Sequence, residues 1–145
     1  GHFGRLGHGD EEHQRLPKLV EALQGKKVVQ VSAGSWHSLV LTESGDVFSF
    51  GYGGNGRLGH GNDKDQHLPK LVEALKGKKA VQVEAGASAS LILTNQDDVL
   101  GFGCTFAELN PEWDAEEDDE EDRLLVTKHL VPHKLFPLND APSAT

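Results

Sequence analysis

The sequence predicts an all-β fold built of four-stranded antiparallel blades, the repeating unit of a β-propeller. Three observations predict it. The first is an internal repeat: GRLGHG stands at residues 4–9 and again at 56–61, and aligning 1–52 on 53–104 without a gap gives 32 identities in 52 positions. A repeat of about 50 residues marks a propeller or a solenoid. The second is that, inside each period, short β-branched and aliphatic runs alternate with Gly, Asp and Ser clusters, the pattern of strands joined by tight turns. The third is that the chain has 17 Gly in 145 residues, set at fixed repeat offsets and not in a low-complexity run.

Each element follows in order. Residues 1–9 are a glycine loop, and 10–15 are polar and exposed. Read alone, 17–27 fit a two-turn helix with Pro17 at the start and Gly25 at the end. Within the repeat they read as a short outer strand over 17–20 and a turn over 21–27. Residues 28–31 (VVQV) form a strand, broken by Ala33 and Gly34. Residues 38–42 (SLVLT) form a second, apolar on both faces as in a strand held between neighbouring sheets. The turn cluster 43–46 makes a hairpin with 47–50 (VFSF). A second glycine loop follows over 51–61, and 69–72 close the set. Four strands per period make one propeller blade. The second copy places strands at 81–83, 91–93 and 99–102. It diverges at particular places: Trp36 and His37 become Ser88 and Ala89, Gly45 becomes Asp97, and Ser32 becomes Glu84.

This divides the chain into two repeats over 1–104, an acidic insert over 105–123, and a degenerate start of a further repeat with a polar tail over 124–145. Within the last part, 124–126 and 130–135 read as the Pro-containing outer strand with the insert before it. The total is about two and a half blades. Stacked repeats bury their apolar faces only against neighbours, and roughly three are needed for stability. The expectation is a piece of a longer closed propeller; the alternative is a short product that completes itself by association. In either case open blade faces and strand edges favour self-association of the isolated chain.

The net charge of −9 comes from one stretch. Residues 112–122 (EWDAEEDDEED) carry nine acidic side chains and no basic one, which leaves 14 acidic against 14 basic elsewhere. A neutral repeat body lacks the basic face of a nucleic-acid module, so no direct nucleic-acid binding is expected. The acidic tract reads as a solvated, disordered loop, or else as a docking segment for a basic protein. The one cysteine, Cys104, permits no internal disulfide and suits a reducing compartment, hence cytoplasm or nucleus. No apolar run approaches the ~18 residues of a membrane-spanning helix, and no membrane partner is expected.

GRLGHG, the following Pro-x-x-Val, and VSAGSWHSLVL over 31–41 together resemble the regulator of chromosome condensation family. The likeness is close over 1–104 and weak over 124–138. It implies a seven-bladed β-propeller, of which this chain would be a fragment. The founding member of that family is a guanine nucleotide exchange factor for Ran that sits on chromatin. Related repeats occur in the plant ultraviolet-B receptor and in large HECT ubiquitin ligases. Exchange would need a loop face contributed by several blades. The photoreceptor reading would need clustered tryptophans, and the ligase reading a catalytic Cys domain, whereas Cys104 is the repeat equivalent of Tyr52.

Most repeat positions have structural readings. Gly34, Gly51, Gly86 and Gly103 mark unusual backbone angles or close contacts, small Ser32 and Ala33 let blades approach, and His37 hydrogen-bonds a neighbouring loop. GYGGNG over 51–56 spells GxGxxG, but no helix follows it, so it is no dinucleotide fingerprint. His8 and His60 share a repeat position without a recurring carboxylate or Cys beside them, which is no metal site. No cofactor is expected, and no recurrent Ser/His/Asp or Cys/His set supports catalysis. The partner-binding candidates are Arg5, His8, Trp36, Arg57 and His60, all in the loops. Trp36 is the bulky one, since Trp is favoured at hot spots. The function expected is a non-catalytic scaffold that binds other proteins through its loop faces. The alternatives are part of an exchange factor for a Ran-type small GTPase, or the propeller segment of a ligase or an ultraviolet-B receptor-like protein.

Overall fold

A computed structural model describes residues 1–104 and the backbone of 129–137. Among the described residues, eight strands form two four-stranded antiparallel sheets. In the first, β1 (Val28–Ala33), β2 (His37–Thr42), β3 (Val47–Gly51) and β4 (Gln66–Leu71) pair in chain order. In the second, β5 (Ala80–Ala85), β6 (Ala89–Thr94), β7 (Asp98–Gly103) and β8 (His129–Pro137) do the same. Each sheet is one blade. The register repeats with the sequence: Ser32 faces Leu39 in the first blade and Glu84 faces Leu91 in the second, and the irregularity between Val28 and Gln30 returns between Ala80 and Gln82.

The blade is out of phase with the sequence repeat. The first blade runs from Val28 to Leu71, so the glycine loop over 51–61 lies within a blade, joining β3 to β4. Residues 1–23 correspond to 53–75, and so hold the loop and outer-strand positions of a blade whose other strands are not among 1–27. One expectation fails for this reason. Residues 17–20, read as an outer strand, carry no ladder, whereas the equivalent segment in β4 pairs with β3 through Ser49 and Lys70. A strand exists only where a partner takes up its backbone hydrogen bonds. Nor is 17–27 a helix; both copies make a single 3-10 turn, at Glu21–Leu23 and Glu73–Leu75.

β8 occupies the place expected for the outer strand over 130–135, with Leu100 opposite Lys134 and Gly103 opposite His129. The acidic insert over 105–123, residues 124–128 and the tail over 138–145 lie outside the described residues.

The core sits between the two sheets. Leu39, Leu41 and Val47 of the first blade meet Val83, Ile92, Leu100 and Phe102 of the second, with Val72, Leu75 and Ala80 from the connecting segment. Leu39 of β2 faces the second blade and is 0% exposed, whereas its equivalent Leu91 on β6, with no described sheet beyond it, is 41% exposed.

Candidate interaction site at the loop end of the blades

Among the hydrogen bonds that join the two blades, one set follows a single rule. Each links a position of the first blade to the residue just after its own repeat equivalent. Gln30 Nε2 donates to Val83 O (2.8 Å) and Val83 N donates back to Gln30 Oε1 (3.0 Å). Ala85 N donates to Ser32 Oγ at 2.9 Å. Beside them the backbones nearly touch: a Cβ on Gly34 would lie 2.3 Å from Gly86 O. Gly34 is therefore glycine for close approach. Gly86 is under no such constraint here, since a Cβ there would meet only Ala89 O at 3.4 Å.

His37 is 1% exposed and pinned across this seam, its Nε2 2.8 Å from Ser90 Oγ. Ser90 Oγ donates to Arg57 O (2.9 Å). The hydroxyl proton is thereby used, so Nε2 carries the hydrogen and Nδ1 is bare. Nδ1 has no hydrogen-bond partner among the described residues. His60 repeats this chemistry within the first blade, its Nε2 2.9 Å from Ser49 Oγ, which itself donates to Leu58 O at 2.7 Å. Burial and then the charge of Arg57 lower the His37 pKa from 6.5 to about 4. Burial and then Lys70 do the same for His60, also to about 4. Both imidazoles are neutral structural donors. His8, the repeat equivalent of His60, lines a shallow groove with Lys18, Leu19, Glu21 and Leu68. Among the described residues, no group of three or more His, Cys, Asp or Glu is placed to hold a metal ion.

The two arginines of the GRLGHG loops make matching bonds. Arg5 Nη1 donates to Ser35 O at 2.9 Å and Arg57 Nη1 to Ala87 O at 2.7 Å. Each loop is also tied down through its own carbonyl, from Ser38 Oγ to Arg5 O and from Ser90 Oγ to Arg57 O. Arg57 is 2% exposed, with Nε bonded to Gly54 O (2.8 Å). Its guanidinium thus serves the loop and the seam and presents almost no surface to a partner. Arg5 is half-buried, and its guanidinium lies 5.4 Å from the Trp36 ring centroid.

Trp36 is 44% exposed in the loop between β1 and β2. Gly51, at φ +111, lets the chain pass beneath it: a Cβ there would fall 2.6 Å from Trp36 O. Gly103 repeats this at φ +107, 2.3 Å from Ser88 O. Tyr52 N donates to Trp36 O as Cys104 N donates to Ser88 O. Two residues join Trp36 that the candidate set omitted. Phe3 packs edge-on to Trp36 (5.7 Å between ring centroids) and tilted on Tyr52 (4.7 Å). Arg57 covers the Tyr52 ring at 4.5 Å. Phe3 and Tyr52 stand in glycine loops with no local pattern to mark them. Their signal lies in the repeat alignment, where Phe3 matches Asn55 and Tyr52 matches Cys104. The structure thus brings Arg5 and Trp36 together with Phe3 and Tyr52 at one loop end. His37 and His60 are committed to seam and blade.

Comparison with known proteins agrees with this architecture. The family model of the regulator of chromosome condensation (RCC1) repeat matches residues 1–41 and 44–93, and a second model of the same repeat matches 28–57. The chain is 45% identical over 103 residues to the human E3 ubiquitin-protein ligase HERC2, covering 71% of this chain and 2% of that protein. It is 39% identical over 104 residues to the ultraviolet-B receptor UVR8 of Arabidopsis thaliana, 71% of this chain and 24% of the receptor. It is 33% identical over 133 residues to the zebrafish (Danio rerio) protein RCC2 homolog, 91% of this chain and 27% of that protein. The chain thus spans about a quarter or less of these relatives' length. In fold it resembles human WBSCR16 (TM-score 0.69, 24% identity, 92% of this chain and 32% of that one). It also resembles yeast RCC1 (Prp20) in its complex with Kap60 (TM-score 0.65, 21% identity, 95% of this chain and 32% of that one). From its repeats, its two blades and these matches, the chain belongs to the regulator of chromosome condensation (RCC1) repeat family of β-propellers.

Proposed function

We propose that this chain is a non-catalytic protein-interaction scaffold that binds partners through the loop end of its blades, in the cytoplasm or nucleus. The observation that carries the reading is Trp36. A tryptophan nearly half exposed, at a loop position where the sister repeat has Ser88, is not required by the blade. Large aromatic side chains so placed are characteristic anchors of protein interfaces. A scaffold role also agrees with the described imidazoles, both of the shifted ones being held neutral and bonded to serine hydroxyls.

A second reading is part of a guanine nucleotide exchange factor. It is favoured by the likeness to Prp20, whose solved structure is described with its binding properties to Gsp1p and histones (TM-score 0.64, 18% identity). The acidic stretch 112–122 offers a counterpart for a basic protein of that kind. The deciding experiment uses the purified chain. As a scaffold it retains protein partners in co-precipitation and leaves labelled GDP on a Ran-type GTPase. Accelerated GDP release at sub-stoichiometric amounts would establish exchange in its place, and a chain that retains no protein would end the scaffold reading.

A further inference from the structure

Phe3, Trp36 and Tyr52 are scattered in sequence and contiguous in space. At the equivalent positions the second repeat has Asn55, Ser88 and Cys104. The backbone beneath the two sets is the same. Residues 52 and 104 donate to the carbonyls of 36 and 88, and residues 3 and 55 are both left-handed, with φ 59 and 62. The fold accepts small or polar residues at all three places, yet in one repeat all three are aromatic and touch. Phe3 is also strained. Asn tolerates a left-handed backbone, and a bulky aromatic does not. A residue held in a disfavoured conformation, where its own repeat shows the relaxed choice, points to a role outside folding.

Arg5 completes the surface. Among the described residues its guanidinium has Ser35 O as an acceptor and no carboxylate partner. Stacked on an indole, a guanidinium keeps its in-plane donors for a carboxylate. His2 and His13 stand exposed beside it, their rings 5.4 Å apart and His2 5.9 Å from Phe3. The nearby Glu11 is engaged elsewhere, its Oε1 accepting from Phe3 N and lying 3.7 Å from His67 Nε2.

We propose that Phe3, Trp36 and Arg5, backed by Tyr52, form a docking notch for a segment of a partner protein that carries an apolar anchor next to a carboxylate. The anchor packs against the rings, and the carboxylate takes the remaining Arg5 donors. The inference rests on the protein-binding reading above and names the site and the chemistry of the partner.

The test is selection of a random displayed-peptide library on the immobilised chain, with the F3N/W36S variant as comparison. That variant carries residues the second repeat already holds, so it keeps the fold. The selected peptides should share an apolar residue within two positions of an Asp or Glu. They should bind F3N/W36S about tenfold or more weakly. R5Q should lose the acidic preference. F3N alone should raise the melting temperature while weakening peptide binding, a combination that a purely structural Phe3 would not give. Peptides held equally by wild type and F3N/W36S would overturn the notch and leave the scaffold reading intact. Selection of basic peptides, or of none, would also overturn it. So would a short oligothymidylate bound by wild type and lost in F3N/W36S, which would make the surface a nucleic-acid site.

Discussion

His37 Nε2 and Ser90 Oγ lie 2.8 Å apart across the seam between the two blades, and Ser90 Oγ donates its own hydrogen bond to Arg57 O at 2.9 Å. One short relay thus joins β2, β6 and the glycine loop between β3 and β4. Removing the imidazole deletes the bond and leaves a cavity in a closely packed seam. H37A should therefore cost about 2–3 kcal/mol, read as a lower midpoint in urea with an unchanged slope. In the second blade Ala89 already stands at this position. A89H has no described Ser across a seam to meet, and it should leave the midpoint nearly unchanged. An H37A midpoint equal to that of wild type would remove His37 from the seam.

The same histidine sets a pH dependence. Its folded pKa of about 4 lies below the ordinary 6.5, from burial first and Arg57 second. The unfolded chain therefore binds more protons than the folded chain between these values. Stability is fully present above pH 6.5 and falls as the pH drops from 6.5 to about 4. For His37 the loss is on the order of 3 kcal/mol, and His60, lowered to about 4 by burial and Lys70, adds to it in the same direction. Urea midpoints at pH 7, 5.5 and 4.5 measure the slope, which should be shallower in H37A. A slope unchanged by that substitution would show that other groups carry it.

Gly34 and Gly86 occupy one repeat position and should respond differently to alanine. At Gly34 the new methyl would meet Gly86 O at 2.3 Å, a backbone atom that moves only if the blades part. At Gly86 it meets Ala89 O at 3.4 Å, ordinary contact. G34A should destabilise by about 3 kcal/mol, and G86A by less than about 1 kcal/mol. Thermal melts of the two variants decide this. Equal losses would mean that the glycine serves the blade's own backbone and not the seam.

How much of this was legible follows from what a repeat can and cannot encode. The strands were legible, since VVQV, SLVLT and VFSF recur with their turn residues. So was the order within a blade, in which 69–72 close the set begun at 28–31 after the loop over 51–61, and β4 pairs with β3 across that loop. Segment 17–20 is where the structure departs from the sequence. It carries the same residues as its counterpart in β4, and the missing ingredient is a partner strand, which its own sequence does not reveal. In the candidate site, Trp36 and Arg5 stood out as a bulky residue and a charge in loops. Phe3 and Tyr52 did not, being single aromatics among glycines. Arg57 matched Arg5 in sequence and differs in burial: its guanidinium also lies against the Tyr52 ring and bonds Gly54 O through Nε.

Val31 and Val83 show what an open blade face means for the isolated chain. They are repeat equivalents, and Val31 is 69% exposed where Val83 is 0% exposed. Val83 is covered by the first blade and bonded through Gln30; among the described residues nothing equivalent covers Val31. Val28 adds to the same open face, being 36% exposed where its equivalent Ala80 is 4% exposed. Contiguous apolar surface of this kind promotes association, and covering one such valine contributes about 1.5–3 kcal/mol. The far face of the second blade is an imperfect mate, because Glu84 and Ala89 replace the Ser32 and His37 that make the seam. The isolated chain should therefore associate weakly and reversibly, with a weight-average mass by light scattering that rises above 15.7 kDa with concentration. V31K should hold the mass near the single-chain value at the same concentrations. Association undiminished in V31K would place the contact on another surface.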